Sequence, residues 1–338
     1  VSESHFRVAP RESGKTIAAV LRLRFSLTWT QARKLIEQRK VRIDGQPCSD
    51  SARRVRTGQQ IQVESDQPSP RKASSTRQKP TKAPEKASEP APMPTGSPSL
   101  VHIDDQIVVV EKPAGLTTMR HASEAAEFGE RAKRFLPGTL ADQLPRLLDD
   151  SRPVRAVHRL DRDTSGLVVF ARTPAAESDL GKQFRSHTVA RRYLAIVRGR
   201  PAAGRVESMI ARNRGDGRRG STATPGEGQR AVTHVRIVEE LGRYTLVECR
   251  LETGRTHQVR IHLAELGTPL CGETVYDRPL HGAPLPDGSD APRIALHAAF
   301  LGLRHPETKE WLQWESPLPA DMSELLTRLR KEARTGRT

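Results

Sequence analysis

Residues 66–98, DQPSPRKASSTRQKPTKAPEKASEPAPMPTGSP, limit what this chain can fold into more than any other stretch. They hold eight prolines, no aromatic residue, and no Val, Ile or Leu. A segment of that kind cannot bury enough apolar surface to offset the entropy lost on ordering it. A disordered, net basic linker is therefore expected over 66–98, between a small unit at 1–65 and a larger one at 99–338. Fully extended, such a linker would reach about 100 Å, and as a coil about 30 Å. The formal charge of +16 speaks to partners, nucleic acid first and anionic membrane second. No apolar run approaches the ~20 residues that a spanning helix needs, so an integral membrane protein is excluded, and a membrane is not among the expected partners. The first ten residues, VSESHFRVAP, lack an apolar core, and the three cysteines (Cys48, Cys249, Cys271) are scattered. A reducing, cytoplasmic setting fits them, with neither a disulfide framework nor a zinc site. His257 and His262 are five apart and fall on different helical faces.

The N-terminal unit carries 13 Lys and Arg against 6 Asp and Glu in residues 1–65. TWTQARKLIEQRK reads as a helix over 28–40, opened by Thr28 and Gln31 in a capping-box pattern. Trp29, Ala32, Leu35 and Ile36 mark its apolar side, while Arg33, Lys34, Arg39 and Lys40 lie largely off it. VRIDG follows as a strand with Val41 and Ile43 inward and Arg42 outward, ending at an Asp-Gly turn. TGQQIQVE supplies a second turn and strand. Basic residues running from a helix into a hairpin suit a surface that follows phosphates.

In the larger unit, IVVVEK (107–112) reads as a strand and Pro113–Gly115 as a turn. Further strands are expected at 167–171, 192–198, 232–238, 244–251 and 293–298. Helices are expected around 126–149, 174–186, 257–266 and 321–333. Strands interspersed with helices without strict alternation predict an α+β domain with a mixed, largely antiparallel sheet.

Three segments carry candidate chemistry. In AVHRLDRDTSGLVVFA the charged loop must deliver the chain to a buried strand. Leu160, alone among charges, can anchor that loop and constrain Arg159 and Asp161, whereas Asp163, Thr164 and Ser165 suit a local turn. In LVECRLETGRTHQVRIHLAELG, Arg255 stands at a strand-to-helix junction, and Gly267 ends the helix. An arginine there, beside Asp161, would keep the carboxylate ionised by charge pairing. In ARRYLAIVRG the strand is apolar on both faces, so Tyr193 is expected to be buried. It is either a core residue or an aromatic face for a base.

RKLIEQRKVRIDGQPC and RVRTGQQIQVE resemble the S4-like RNA-binding domain over about residues 14–64. EKPAGL, HRLDRDTSGL, RRYLAIVRG, TGRTHQVRIHLAELGTPLCGETVYD and ALHAAFLGLRHPETKE resemble the RluA-type pseudouridine synthases, in that family's order, over about residues 100–330. The resemblance implies a pseudouridine synthase fold and a small α/β S4-like domain on a flexible linker. It implies that Asp161 is the catalytic aspartate, Tyr193 the residue that stacks on the target base, and Arg255 the aspartate's basic partner. Arg159 would fill the gap left by the extruded base. The implied partner is RNA, ribosomal RNA of the large subunit before transfer RNA, bound by a monomer without cofactor or metal. RNRGDGRRGSTATPGEGQR (212–230) departs from the family pattern.

On this reading the glycosidic bond of a flipped uridine breaks, the uracil turns, and its carbon 5 joins the ribose. Asp161 either attacks the ribose or abstracts its 2′ proton; the sequence leaves both routes open. A glycosidase would need a second carboxylate facing the sugar, and Asp163 is poorly placed for that. A non-catalytic RNA-binding factor would have no reason to hold Asp161, Tyr193 and Arg255 together.

Overall fold

The computed structural model describes residues 2–9, 12, 16–25, 32, 35–36, 38, 40–48, 50, 53, 55–65, 96–120, 138–149, 152–280 and 282–336. Two compact units separate at Val1–Ala87 and Ser88–Thr338. The linker expected at 66–98 falls outside the described residues up to 95.

The first unit contains β1 (Ser2–Arg7), α1 (Ile17–Phe25), β2 (Val41–Ile43), β3 (Gln46–Pro47) and β4 (Gln60–Ser65). Its antiparallel sheet runs in the order β1-β4-β2-β3. Asp44 and Gly45 both take positive φ at the β2–β3 turn, the conformation that matches a two-residue turn to strand twist. Val41 and Ile43 face in and Arg42 faces out, as the alternation predicts. Ala32 and Ile36 are buried with Ile17, Leu21, Ile61 and Val63 in one core. Sequence patterning overlooks β1 and α1. β1 places polar Ser4 inward, which blurs its alternation, and α1 is only nine residues long. Thr28, Trp29, Gln31, Arg33, Lys34 and Arg39 lie outside the described residues.

The second unit contains β5 (Ser99–Ile103), β6 (Ile107–Lys112), α2 (Leu140–Leu147), β7 (Arg155–Ala156), β8 (Ser165–Ala171), α3 (Pro174–Arg185) and β9 (Ala190–Arg198). There follow β10 (Gly204–Ala211), β11 (Gly220–Ser221), β12 (Gln229–Leu241), β13 (Tyr244–Leu251), α4 (Gln258–Glu265), β14 (Leu296–Arg304), β15 (Trp311–Glu315) and α5 (Ala320–Arg334). One sheet joins all eleven strands in the order β11-β10-β12-β13-β9-β14-β8-β6-β5, with β15 paired to β14 and β7 to β8. Every pairing is antiparallel except β14 with β8, so the domain is α+β with a mixed, largely antiparallel sheet. At that parallel contact Gly166 has φ +113, and a Cβ there would collide with the Ala298 backbone. β8 is buried along its whole length, because both faces of the sheet are covered. Val168 and Phe170 pack with Leu140, Leu144, Val259 and Leu263 on one side. Val169 and Ala171 pack with Ala176 and Leu180 of α3 on the other.

Several predicted spans shift. β14 begins at Leu296, so half of 293–298 lies before it. The helix expected at 126–149 is described only over Leu140–Leu147, where Thr139 and Asp142 form a reciprocal capping box; residues 121–137 lie outside the described set. β10 and β15 have no counterpart in the patterning, since most of their side chains are exposed or half-exposed.

Candidate active site

The charged loop before β8 is held on both flanks. Leu160 is 3 % exposed and packs into the core below the sheet. Its backbone N–H donates to the Thr118 hydroxyl at 3.1 Å, and that hydroxyl donates back to the Leu160 carbonyl at 2.8 Å. On the far side of Asp161, the Arg162 carbonyl accepts from Lys112 Nζ at 3.0 Å and from the Gly115 N–H at 2.9 Å. Lys112 is wholly buried and also donates to the carbonyls of Pro113 and Leu116. Burial, reinforced by the charge of Arg293, pushes its ammonium down to about 7. Arg293 donates to the Asp163 carbonyl at 3.1 Å and to the Ser165 hydroxyl at 3.1 Å, and its other edge pairs with Asp321. The local-turn expectation therefore fails for Ser165. Its side chain bonds His297 Nδ1, 132 residues away, at 2.9 Å, because β8 lies beside β14. Asp161, with both neighbours pinned, turns its carboxylate into a pocket.

That pocket has a volume of about 630 Å³ and lies between the 157–164 loop, the end of α3, the start of β9 and the turn into α4. Among the described residues it is lined by five arginines (159, 185, 191, 255 and 260) and by one carboxylate, Asp161. Tyr193 and Phe184 supply its aromatic surface. Tyr193 is 9 % exposed, and the sheet register sets it beside Cys249 and Ala298. No described residue hydrogen-bonds its hydroxyl.

The basic partner of Asp161 is Arg260, and this corrects the expectation for Arg255. Arg260 Nη1 lies 3.5 Å from Asp161 Oδ2, and His257 Nε2 lies 3.7 Å from Oδ1. Arg255 instead donates from Nε to the carbonyl of Arg230 at 3.0 Å, at the pocket's exposed edge. The reason lies in the chain path. His257 takes left-handed backbone, φ 60, immediately before α4, so the residues ahead of it turn outward and the first turn of the helix faces in. Gln258 fixes that turn. Its carbonyl accepts from the Thr253 hydroxyl and the Arg255 N–H, and its amide donates to the Val232 carbonyl and the Thr233 hydroxyl.

Arg260 is itself held by Glu273, through two bonds of 2.7 Å from Nε and Nη2. The Glu273 side chain has no exposed surface and also accepts from the Val275 and Tyr276 N–H groups. Burial works to raise the Glu273 carboxyl, but the hydrogen bonds and charge of Arg260 outweigh it and hold it below its ordinary value. Burial likewise works against the Arg260 cation, and Glu273 and then Asp161 raise it above its usual range. Burial also keeps His257 below its ordinary value, against the pull of Asp161, and its Nδ1 meets the Tyr276 hydroxyl at 2.7 Å. Among the described residues no cluster of His, Cys, Asp and Glu could hold a metal ion. His262, for one, is spent on Thr233 and Ser208.

The sequence profile of the RNA pseudouridylate synthase family matches residues 106–265, and that of the S4 domain matches 17–61. A ribosomal large subunit pseudouridine synthase D of Zymomonas mobilis is 40 % identical over 233 residues, 68 % of this chain and 72 % of the relative. The chain belongs to the RNA pseudouridylate synthase family. A ribosomal large subunit pseudouridine synthase D of Nitrosomonas europaea is 42 % identical over 67 % of this chain, and the match spans 64 % of that relative, just under two thirds. Among solved structures, the human RNA pseudouridylate synthase domain containing 4 protein is 27 % identical, with a TM-score of 0.51 over 68 % of this chain and 92 % of its own.

In this pseudouridylate synthase family member, Asp161, Tyr193, Arg159 and Arg255 all line one pocket, and only Asp161 touches the basic centre. Glu273, His257 and Tyr276 escaped sequence reasoning. A helix with Gln258, Arg260 and His262 all buried shows no clean apolar stripe, so nothing in its pattern separates Arg260 from a surface cation. Of the candidate RNA-contacting residues in the first unit, Arg42 is exposed and Lys40 half-buried.

Proposed function

We propose that this protein converts uridine to pseudouridine in RNA, and in large-subunit ribosomal RNA in particular, with Asp161 as the catalytic carboxylate. The observation that carries the reading is the pinned Asp161, facing Arg260 and Tyr193 in a pocket lined by cations. The reaction cuts the bond between ribose C1′ and uracil N1, turns the ring, and bonds C1′ to C5. The proton at C5 leaves and N1 gains one, so nothing is oxidised or reduced. A stacked base cannot reach a side chain, so the target flips out at a cost of a few kcal/mol. Arg260 orients the carboxylate while Glu273 fixes Arg260. Tyr193 offers its ring to the turning uracil, and Arg159 takes the vacated place in the RNA. Arg33, Lys34, Arg39, Lys40 and Arg42 of the S4-like unit follow phosphates, and the chain acts as a monomer.

Two measurements test this. Purified protein is incubated with C5-tritiated ribosomal transcripts and tritium release is followed. Pseudouridines are mapped in RNA from cells with and without the gene. Loss of particular large-subunit positions with the gene supports the reading; an unchanged map with no tritium release overturns it.

A further inference from the structure

Arg191 and Arg192 are neighbours on β9 and point to opposite faces of the sheet. Arg192 is compensated from three sides, by Glu315 at 2.6 Å, by Glu248 at 3.4 Å, and by the Phe300 ring 4.1 Å below its guanidinium. Arg191 is only 9 % exposed and makes no ion pair among the described residues. Of the five N–H groups of an arginine, one is engaged, Nη2 with the Glu252 carbonyl at a long 3.4 Å. Its Nε is buried and has no partner among the described residues.

The surroundings do not make up the deficit. Phe184 stands 5.6 Å from the guanidinium. His158 stacks on that ring at 4.5 Å, and its Nε2 accepts from the Val169 N–H. Burial, then the charge of Arg191, holds that imidazole neutral, at about 3. Gly254 leaves room for the head group, since a Cβ there would collide with Nη1. Arg260 shows what a resident counter-ion does in the same pocket. Its cation is raised by Glu273 and Asp161, whereas that of Arg191 is lowered by burial. Buried charges are ordinarily paired, because an unpaired one is costly. Arg191, in a cavity open to solvent, lacks an anion.

We propose that Arg191 is a phosphate-binding residue, the seat for a phosphodiester of the RNA strand next to the nucleotide that enters the pocket. The inference rests on the isomerase reading of the site and adds to it a named contact. A planar guanidinium with free edges matches two non-bridging oxygens of a phosphate, and the anion supplies the charge that a neutral uracil carbonyl cannot. Arg191, Tyr193 and Asp161 line the same pocket, so a phosphate held by Arg191 belongs to the strand whose base enters it. One strand can thus be gripped while its base faces Asp161.

The probe is a short synthetic RNA centred on a uridine that the wild-type protein converts. In separate copies, each phosphodiester flanking that uridine is replaced by an uncharged methylphosphonate. One of these copies is expected to lower wild-type kcat/KM by about 10- to 100-fold. Arg191→Gln should lower it equally on the unmodified RNA, and variant and modified RNA together should do no worse than either alone. Arg191→Lys should recover part of the loss, keeping charge without the fork. Arg191→Gln should also unfold at a temperature no lower than wild type, since it removes an unpaired buried charge. Penalties that multiply at every linkage, or a drop in unfolding temperature with Arg191→Gln, overturn the proposal. If wild type turns over normally in that case, the isomerase reading survives. If wild type converts no RNA at all, that reading fails and this inference with it.

Discussion

The inner wall of the pocket and its rim contain the same residue type put to opposite uses. On the wall, Arg260 is locked by Glu273, and Asp161 stands against both Arg260 and His257. At the rim, Arg159 and Arg185 are exposed and make no ion pair among the described residues, and Arg255 spends one N–H on a carbonyl. Arg260 is a buried cation that the protein pairs before substrate arrives, so its geometry is fixed in advance. An exposed cation stays hydrated and trades its counter-ions for phosphate on binding, which makes its contribution depend on salt. Chemistry therefore belongs to the wall and affinity to the rim, and each half of that division can be attacked separately.

The largest expected effect is that of Asp161→Asn. It should cut tritium release by more than about 100-fold, the scale at which a catalytic group acts. RNA affinity should stay within a few-fold, because phosphate contacts supply it. Substantial residual turnover would move the chemistry away from Asp161.

Arg260→Met comes next. It strips the wholly buried Glu273 of its partner, at a cost of about 3–5 kcal/mol in stability, and frees the Asp161 carboxylate to turn. Activity and unfolding midpoint should fall together, and Arg260→Lys should restore some of each. An active, equally stable Arg260→Met protein would break the wall as described.

Behind the Asp161 loop, His297 is wholly buried between the Ser165 hydroxyl and Ser316. Burial pushes its imidazole from 6.5 down to about 4. A depressed folded value means that the unfolded chain binds the proton first. The contribution to stability is whole above about pH 6.5 and is lost on acidification, at about 1.4 kcal/mol per pH unit, until about pH 4. Urea unfolding at pH 7 and pH 5 measures the slope, and His297→Gln should flatten it. An unchanged slope would show that His297 does not titrate there.

The smallest effect sharpens the rim. Arg255→Ala should leave the rate at saturating RNA near wild type. It should weaken apparent affinity a few-fold and make the salt slope shallower by about one unit, as for one lost phosphate contact. A collapse of the saturated rate would put Arg255 back on the wall.

How legible each part was follows from the range of the forces involved. β6, β8, β9 and β13 stand out as apolar runs because both their faces are covered. The Asp-Gly hairpin and the Gly267 stop are local conformational demands. Leu160 as an anchor follows from a single apolar residue among charges. β10, β15 and β1 escaped because strands with exposed or polar-lined faces carry little pattern. Glu273 escaped because a buried acid looks, in a string, like any acid.

What the sequence by itself determined is the material at hand: two folded units around a proline-rich stretch, an α+β domain, Asp161 and Tyr193 as pocket residues, and a large cationic surplus. The pocket roles of Asp161 and Tyr193 follow from the family resemblance of their motifs, and the rest depends on short-range periodicity, turn chemistry and charge, which neighbouring residues encode directly. What only the tertiary structure decided is the pairing. Arg260 and not Arg255 meets Asp161, Ser165 meets His297, and Arg191 meets no carboxylate among the described residues while Arg192 meets two. Each of these turns on the direction of a side chain after long-range strand register and one left-handed residue, His257, have set the backbone. A buried charge is defined by what surrounds it in space, and such a neighbour can lie 99 residues away along the chain, as Asp161 does from Arg260.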